Sequence, residues 1–212
     1  MPRISQEESN ARRDQVIDAC ADLFVSNGYS DITMAQIAQG VTFGRANIYN
    51  YFRNKDEVFL ALLQREHEQW AADLRDIEHN VAHDGAGASG EDLADALAAS
   101  LERRRAMLKL LATSIYEMEQ FSSHESLVRM KLAYKENLVA LRSLLHTAKP
   151  SWNKERIDRF VFSFMPFLHG LYPYAFHSDK QVSAMEEAGV PVFEVGIADL
   201  VRNCASKLLQ DD

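Results

Sequence analysis

The chain has 212 residues, 47% of them apolar, and a formal net charge of −8, enough to bury a sizeable core in one or two domains. No run of about 18 apolar residues occurs, and the first fifteen residues carry no apolar leader, so neither a membrane span nor a signal peptide is expected and the protein reads as cytoplasmic. Cys20 and Cys204 stand far apart inside helical patterns, which argues against a disulfide framework or a paired-cysteine metal site. They read as small apolar side chains, with redox sensing the alternative.

The charge is unevenly placed. Residues 1–55 carry six basic and six acidic side chains, so the whole acidic excess follows them. Within residues 31–55 the balance is three basic (Arg45, Arg53, Lys55) to one acidic (Asp31). A pair of chains would double that local positive field, while the acidic remainder would repel a polyanion and favour one docking orientation.

A first helix is expected from Ser5 to about Asn27. Ser5 and Glu8 have capping-box spacing, and Val16, Ala19, Cys20, Leu23 and Phe24 recur at steps of three and four. Gly28 ends it, with Tyr29 and Ile32 following as apolar cover. Arg12 and Arg13 oppose the helix dipole; they read as solvated charge or as phosphate contacts from an N-terminal arm.

Thr33 and Gln36 form a second possible capping box, and Met34, Ile37, Ala38 and Val41 fit two helical turns. The run Gly40-Val41-Thr42-Phe43-Gly44 supplies glycines for a tight reversal. A second short helix then starts near Gly44 or Arg45, with Arg45, Asn47, Tyr49 and Asn50 outward and Ala46, Ile48 and Phe52 inward. Asn54, with Glu57 three residues on, reads as the N-cap of a third, longer helix. Helix, tight turn and helix with polar and basic groups outward is the helix-turn-helix that reads the DNA major groove.

At these residues the chain resembles the DNA-binding domain of the TetR family of bacterial regulators. The resemblance rests on Thr33, Ile37-Ala38, Tyr49-Asn50-Tyr51-Phe52 and Asn54-Lys55-Asp56-Glu57, and covers about residues 10 to 63. The turn departs from the usual Ala-Gly-Val-Ser, having Val41-Thr42-Phe43-Gly44. Carried over position by position, the resemblance puts Thr33, Tyr49, Tyr51 and Lys55 on backbone phosphates and Arg45 and Asn47 at base edges. Arginine suits guanine O6/N7 and asparagine suits adenine N6/N7. For the two tyrosines, plain core packing is the competing account.

From Lys55 to about His83 the stripe Phe59, Leu63, Glu66, Trp70, Leu74, Ile77, Val81 predicts a helix roughly 40 Å long at about 1.5 Å per residue. Residues 84–90, Asp-Gly-Ala-Gly-Ala-Ser-Gly, read as a flexible loop. Helices resume over 91–149: Leu93, Leu97 and Leu101 make one stripe; Met107, Leu110, Leu111, Ile115 and Met118 make another, with Arg103–Arg105 at the junction. Ser122–Glu125 caps a further helix through Leu127, Met130, Leu138, Leu141 and Leu145, closed by Pro150. Residues 153–176 are apolar nearly all round, and a helix without a polar face needs cover on every side. A last helix carries Phe193, Ile197, Leu200, Cys204 and Leu208, with Val201 and Leu209 alongside. Two such C-terminal helices suit an isologous four-helix seam, and the resemblance likewise implies a homodimer through the last two long helices.

The expected fold is all-α, with an N-terminal three-helix DNA-binding domain (residues 1–54) and a helical ligand-binding and dimerisation domain (residues 55–212), about nine helices. In the second, Trp70, Met107, Tyr116, Phe162, Met165, His169 and Tyr172 are candidates to line a pocket for a mostly apolar effector; an ordinary core accounts for each equally well. The resemblance places that pocket between the long helix from Lys55 and the helices after it. His79 and His83 are four apart, but no Cys or Glu at a matching step completes a site, so no metal is expected. No nucleophile elbow, P-loop, GxGxxG or HExxH occurs, so neither catalysis nor a cofactor is expected. The expected partners are duplex DNA bearing a palindromic operator, an unidentified small-molecule effector and a second copy of the chain, with no membrane. The function read is that of a regulator, most simply a repressor. A helical enzyme or carrier with an incidental helix-turn-helix, or a DNA-compacting scaffold without an effector, are the rivals.

Overall fold

Ser5 starts the first helix, accepting the Glu8 amide at 3.0 Å, which satisfies one of the orphan donors of a helix N-terminus. This is α1 (Gln6–Ser26), and its buried face is Val16, Ile17, Ala19, Cys20 and Phe24. A computed structural model describes residues 5–83, 89–113 and 115–210. Among them lie eleven α-helices and two 3₁₀ segments, with no strand; nine of the α-helices begin at or after Lys55. None of the described helices is long and apolar enough to cross a membrane.

After α1 comes a 3₁₀ turn, Tyr29–Asp31, then α2 (Met34–Ile37), a second 3₁₀ segment, Arg45–Asn50, and α3 (Lys55–His83). The remaining elements are α4 (Gly90–Glu102), α5 (Arg105–Thr113), α6 (Ile115–Phe121), α7 (His124–Ala148), α8 (Lys154–Gly170), α9 (Tyr172–Ala175), α10 (Asp179–Glu187) and α11 (Ile197–Leu208). They gather into two compact units. The first takes the described residues through Glu66 together with those of 113–134; the second takes 67–112 and the described residues from Lys135 onward. α3 and α7 each run from one unit into the other.

Aromatic packing centres the first unit. Phe59 meets Phe24 edge-on at 5.2 Å and Tyr29 at 4.8 Å, pairs worth about 0.5–1.5 kcal/mol beyond their burial. Ile17, Ile37, Ile48 and Leu62 close round them, all fully or almost fully buried. In the second unit α4 packs along α11. Ala94 and Ala98 on α4 and Ala205 on α11 are buried among Leu97, Leu101 and Val201, small residues that let two backbones come close. Glu102 accepts the Ala198 amide at 3.1 Å at the N-terminus of α11.

Several expectations change in detail. α2 makes one turn rather than two, because Gly40 and Val41 lie beyond it in irregular chain. The following helix is 3₁₀, and Ala46 on it is exposed, not inward; Ile48 and Phe52 are the buried pair. Neither Gly40 nor Gly44 has positive φ, since Gly189 (φ 68°) is the sole such residue among those described. The reversal therefore needs no left-handed residue. Gly40 is required for space: a Cβ there would stand 2.7 Å from Ala19 Cβ on α1. Of the loop read at 84–90, residues 84–88 lie outside the described residues, and Ser89 with Gly90 already opens α4 through a capping box with Asp92.

The apolar run 153–176 is two helices, broken at Leu171 ahead of Pro173. α8 keeps one open side, with Glu155, Arg159, Phe162, Ser163 and Pro166 exposed. Pro166 sits inside α8, where it removes one ladder hydrogen bond. Cys20 is fully buried, and burial pushes its thiol up to about 12, only partly offset by the charges of Arg65 and Lys55. Half-buried Cys204 is also raised, again by burial first. A thiol held protonated is a poor nucleophile, which favours the packing role over redox sensing.

Gly40→Ala should destabilise the first unit by about 1–3 kcal/mol, the usual range for overpacking. Urea unfolding followed by far-UV circular dichroism measures it, and in an Ala19→Gly background the same change should cost less than half as much.

Candidate nucleic-acid interface

Thr33 caps α2 as expected: its Oγ1 accepts the Gln36 amide at 3.3 Å, while Gln36 Oε1 accepts the Thr33 amide at 2.8 Å. The cap orients one short helix against α1. The following turn is tied to α1 by side chains. Gln15 Oε1 accepts from the Thr42 hydroxyl at 2.8 Å. The Arg12 guanidinium lies 5.5 Å from the Phe43 ring centre, and Arg13 lies 5.2 Å from that of Phe52. Both arginines thus stack on aromatic faces of the turn and the residue closing it, contacts worth about 0.5–1 kcal/mol each where exposed. Arg12 is also paired with Glu8 at 2.6 Å.

The segment Arg45–Asn50 is held from beneath and open above. Ile48 is fully buried and Phe52 nearly so, whereas Arg45, Asn47, Tyr49 and Asn50 are exposed, Tyr49 to 59%. Arg45 turns one guanidinium nitrogen back to the Ala35 carbonyl at 3.3 Å. Tyr51 is half-buried, its ring 5.8 Å from Phe43. Lys55 points inward: its ammonium donates to the Tyr29 and Ile32 carbonyls at 3.0 and 3.3 Å and sits 4.3 Å from the Tyr29 ring centre. Tyr29 in turn donates its hydroxyl to Asp56, and burial followed by that bond raises its pKa. Lys55 and Asp56 therefore fasten the chain before α2 to the start of α3.

A buried carboxylate completes the arrangement. Asn54 caps α3, accepting the Glu57 amide at 2.9 Å. Glu57 is only 6% exposed; its Oε2 accepts the Arg53 amide at 2.9 Å and its Oε1 the Ser123 amide at 3.2 Å. Asn54 Nδ2 also donates to the Phe121 carbonyl at 2.9 Å. These groups bind the corner between α6 and α7 to Arg53 and Asn54, which follow the exposed segment by three and four residues. Burial alone would raise the Glu57 pKa, but the bonds from the Arg53 and Ser123 amides and the Ser123 side chain, with the Arg53 charge, bring it below its ordinary value. A polar cleft of about 210 Å³ opens beside this node, lined by Tyr49, Arg53, Ser126 and Arg129 among others.

The pocket candidates are not all brought together. Trp70, Met107 and Met165 are buried, and His169 and Tyr172 half-buried, within the second unit. Trp70 donates its indole N–H to Ser100 Oγ at 3.2 Å, so its polar tip is satisfied by the core. Tyr172 packs on Phe176 at 4.7 Å, with Arg105 stacked on the other ring of that pair. Burial raises its pKa against the opposing charge of Arg105, so it stays a hydrogen-bond donor. Phe162 is 68% exposed on α8, and Tyr116, in the first unit, is 77% exposed. Neither of these two lines a closed interior.

Sequence comparison decides the family. A model of the N-terminal domain of bacterial regulatory proteins of the tetR family matches residues 16–62, and one of the tetracyclin repressor-like C-terminal domain matches residues 64–210. The chain belongs to the TetR family. Among curated TetR-type relatives it is 35% identical over 72 residues to the HTH-type transcriptional repressor Rv1474c of Mycobacterium tuberculosis, a match covering 34% of this chain and 38% of the relative. It is 38% identical over 68 residues to the HTH-type transcriptional regulator SrpR of Pseudomonas putida, covering 32% of each. The chain thus spans about a third of the length of the curated relatives it matches. The whole fold is similar to that of the fatty acid degradation regulator FadR from Bacillus halodurans, at TM-score 0.59 and 17% identity over 98% of this chain and 97% of that one.

In this TetR-family head, sequence reasoning missed Glu57 as a clamp and Gln15, Arg12 and Arg13 as supports of the turn. The spacing Asn54-x-x-Glu57 announces a cap, but the second acceptor function of Glu57 faces residues 66 positions later, beyond any local pattern. Glu57→Ala should cost about 1–2 kcal/mol, since it leaves two part-buried amides without their acceptor. The pH dependence separates charge from packing. With a folded pKa below the unfolded value of about 4.3, the ionised carboxylate adds stability above that pH and loses it as pH falls through the folded pKa. Glu57→Gln should therefore show its largest deficit at neutral pH and converge on the parent only as pH falls through the lowered folded pKa in urea titrations.

Proposed function

We propose that this chain is a ligand-responsive repressor that binds a palindromic operator as a homodimer and is released by a small, mostly apolar effector. The carrying observation is the division of Arg45–Asn50 into a sealed underside and an exposed upper face of Arg45, Asn47 and Tyr49. Fixed underneath, such a segment can bring an arginine and an asparagine to base edges, while Tyr49, Thr33 and Tyr51 take phosphates. Lys55, with two of its donors on carbonyls, contributes mainly by positioning and through its charge. Half-sites on the operator should be about one helical turn, or a simple fraction more, apart.

The exposed side of α8, centred on Phe162, supports dimerisation through the last two long helices, as does the half-buried row Leu200, Cys204, Leu208 on α11. The effector enters the second unit, where Met107, Met165, His169 and Tyr172 offer apolar contact and a phenol donor. Trp70 would wall it rather than bond to it, and Tyr116 and Phe162 fit it least because of their exposure. Release requires only differential affinity: an effector that binds the DNA-free form about 100-fold more tightly supplies roughly 2.7 kcal/mol of coupling.

Selection from a random duplex pool should enrich an inverted repeat; a pool that stays random sinks the reading. On the selected operator, Arg45→Ala should weaken binding by roughly 1–3 kcal/mol and relax preference at one base pair, as read by fluorescence anisotropy across single-base variants. Phe162→Asp should convert the dimer to monomer in sedimentation velocity and weaken operator binding in parallel.

A further inference from the structure

The last turns of α3 leave the core. Leu74 is fully buried, Ile77 and Val81 only partly, and His79 and His83 are exposed. The backbone beneath them is nonetheless held. Glu78 accepts from the hydroxyls of Ser143 and Thr147 on α7 at 2.7 and 2.9 Å, and Arg75 pairs with Glu136 at 2.6 Å. On that support the two imidazoles converge, their ring centres 4.2 Å apart at 65° and their Nε2 atoms separated by 2.9 Å.

Two ring nitrogens at that distance share either one proton or one cation. If each bonds a metal at about 2.0–2.1 Å, a 2.9 Å span subtends an angle of about 90° at the ion. That is the cis angle of square-planar or octahedral coordination; tetrahedral zinc would need the nitrogens roughly 3.3 Å apart. We propose that His79 and His83 form a surface chelate for a transition-metal cation of square-planar or octahedral habit, Cu(II) before Ni(II) in affinity. No group of three or more His, Cys, Asp or Glu side chains that could hold a metal occurs among the described residues, so water fills the other positions. Solvent exposure permits this, and it distinguishes the site from a closed structural zinc centre. The carbonyl end of a 29-residue helix adds a negative partial charge that favours a cation there. Spacing alone pointed away from a metal because no third ligand follows at a matching step; the convergence of the two rings is what the sequence could not show. The site is independent of the DNA-reading proposal and lies in the second unit.

The test uses tag-free full-length protein titrated calorimetrically with Cu(II) and, separately, Ni(II), with electron paramagnetic resonance of the Cu(II) form. One Cu(II) per chain is expected, bound more tightly than Ni(II), with nitrogen hyperfine structure from two imidazoles. His79→Asn and His83→Asn should each weaken Cu(II) at least tenfold while leaving the far-UV circular dichroism unchanged, as befits exposed side chains. Unchanged Cu(II) binding by the double variant, or a spectrum with fewer than two imidazole nitrogens, would overturn the assignment.

Discussion

A single buried carboxylate fixes the chain on either side of the corner that follows the exposed Arg45–Asn50 segment. Glu57 sits where α3 begins, four residues after the amide of Arg53 that it accepts, and reaches the Ser123 amide with its other oxygen. Burying a charge is costly unless every lone pair finds a donor, and here two amides supply fixed donors. Because the donors belong to backbone, the carboxylate specifies the path of two chain segments and not merely the pose of two side chains. The consequence is mechanical: the end of the exposed Arg45–Asn50 segment cannot shift without disturbing either α3 or the α6–α7 corner.

Aromatic faces and close backbone approach supply the rest of the head's rigidity. The turn that precedes Arg45 contains no left-handed residue, so its shape is not dictated locally. It is imposed by contact with α1: Gly40 against Ala19, Thr42 on Gln15 and Phe43 beneath Arg12, while Phe52, past the following segment, lies beneath Arg13. Arg12 and Arg13 lie past the first turn of α1, where the helix dipole has largely faded, and stacking on the two rings fixes where their charge sits. Tertiary contact therefore does here what turn chemistry does in the commoner form of the motif.

Much of this was legible in the chain because it is local. Caps at Ser5, Thr33 and Asn54, the apolar stripe from Phe59 to Leu74 and the junction at Arg103–Arg105 are all short-range signals, and the elements begin and end at or within a residue or two of them. What escaped was of two kinds. Short helices lack a full period of pattern, so spacing does not show that α2 stops at Ile37, does not distinguish Arg45–Asn50 from an α-turn, and says little of α10, which has no buried residue and only its Ser178–Gln181 cap to announce it. Partners far along the chain are not legible either: Lys55 donates to the Tyr29 and Ile32 carbonyls and Trp70 to Ser100, contacts that no local spacing announces. Composition gives an inventory of apolar and aromatic groups but no means of sorting buried from exposed, which is why exposed Phe162 and Tyr116 stand beside buried Met107 and Met165 among the pocket candidates.

α3 is fastened unevenly along its length. Over Val58–Leu63 every side chain is buried, whereas past Leu74 none is. Opening free energy follows local burial, so the helix is anchored at the end that carries Lys55 and Glu57 and frays more easily at the end that carries His79 and His83. Were the burial gradient reversed, fraying would begin beside Asn54 and undo both its cap and the Glu57 node. The placement of polarity along α3 thus keeps local opening away from the residues that follow the Arg45–Asn50 segment.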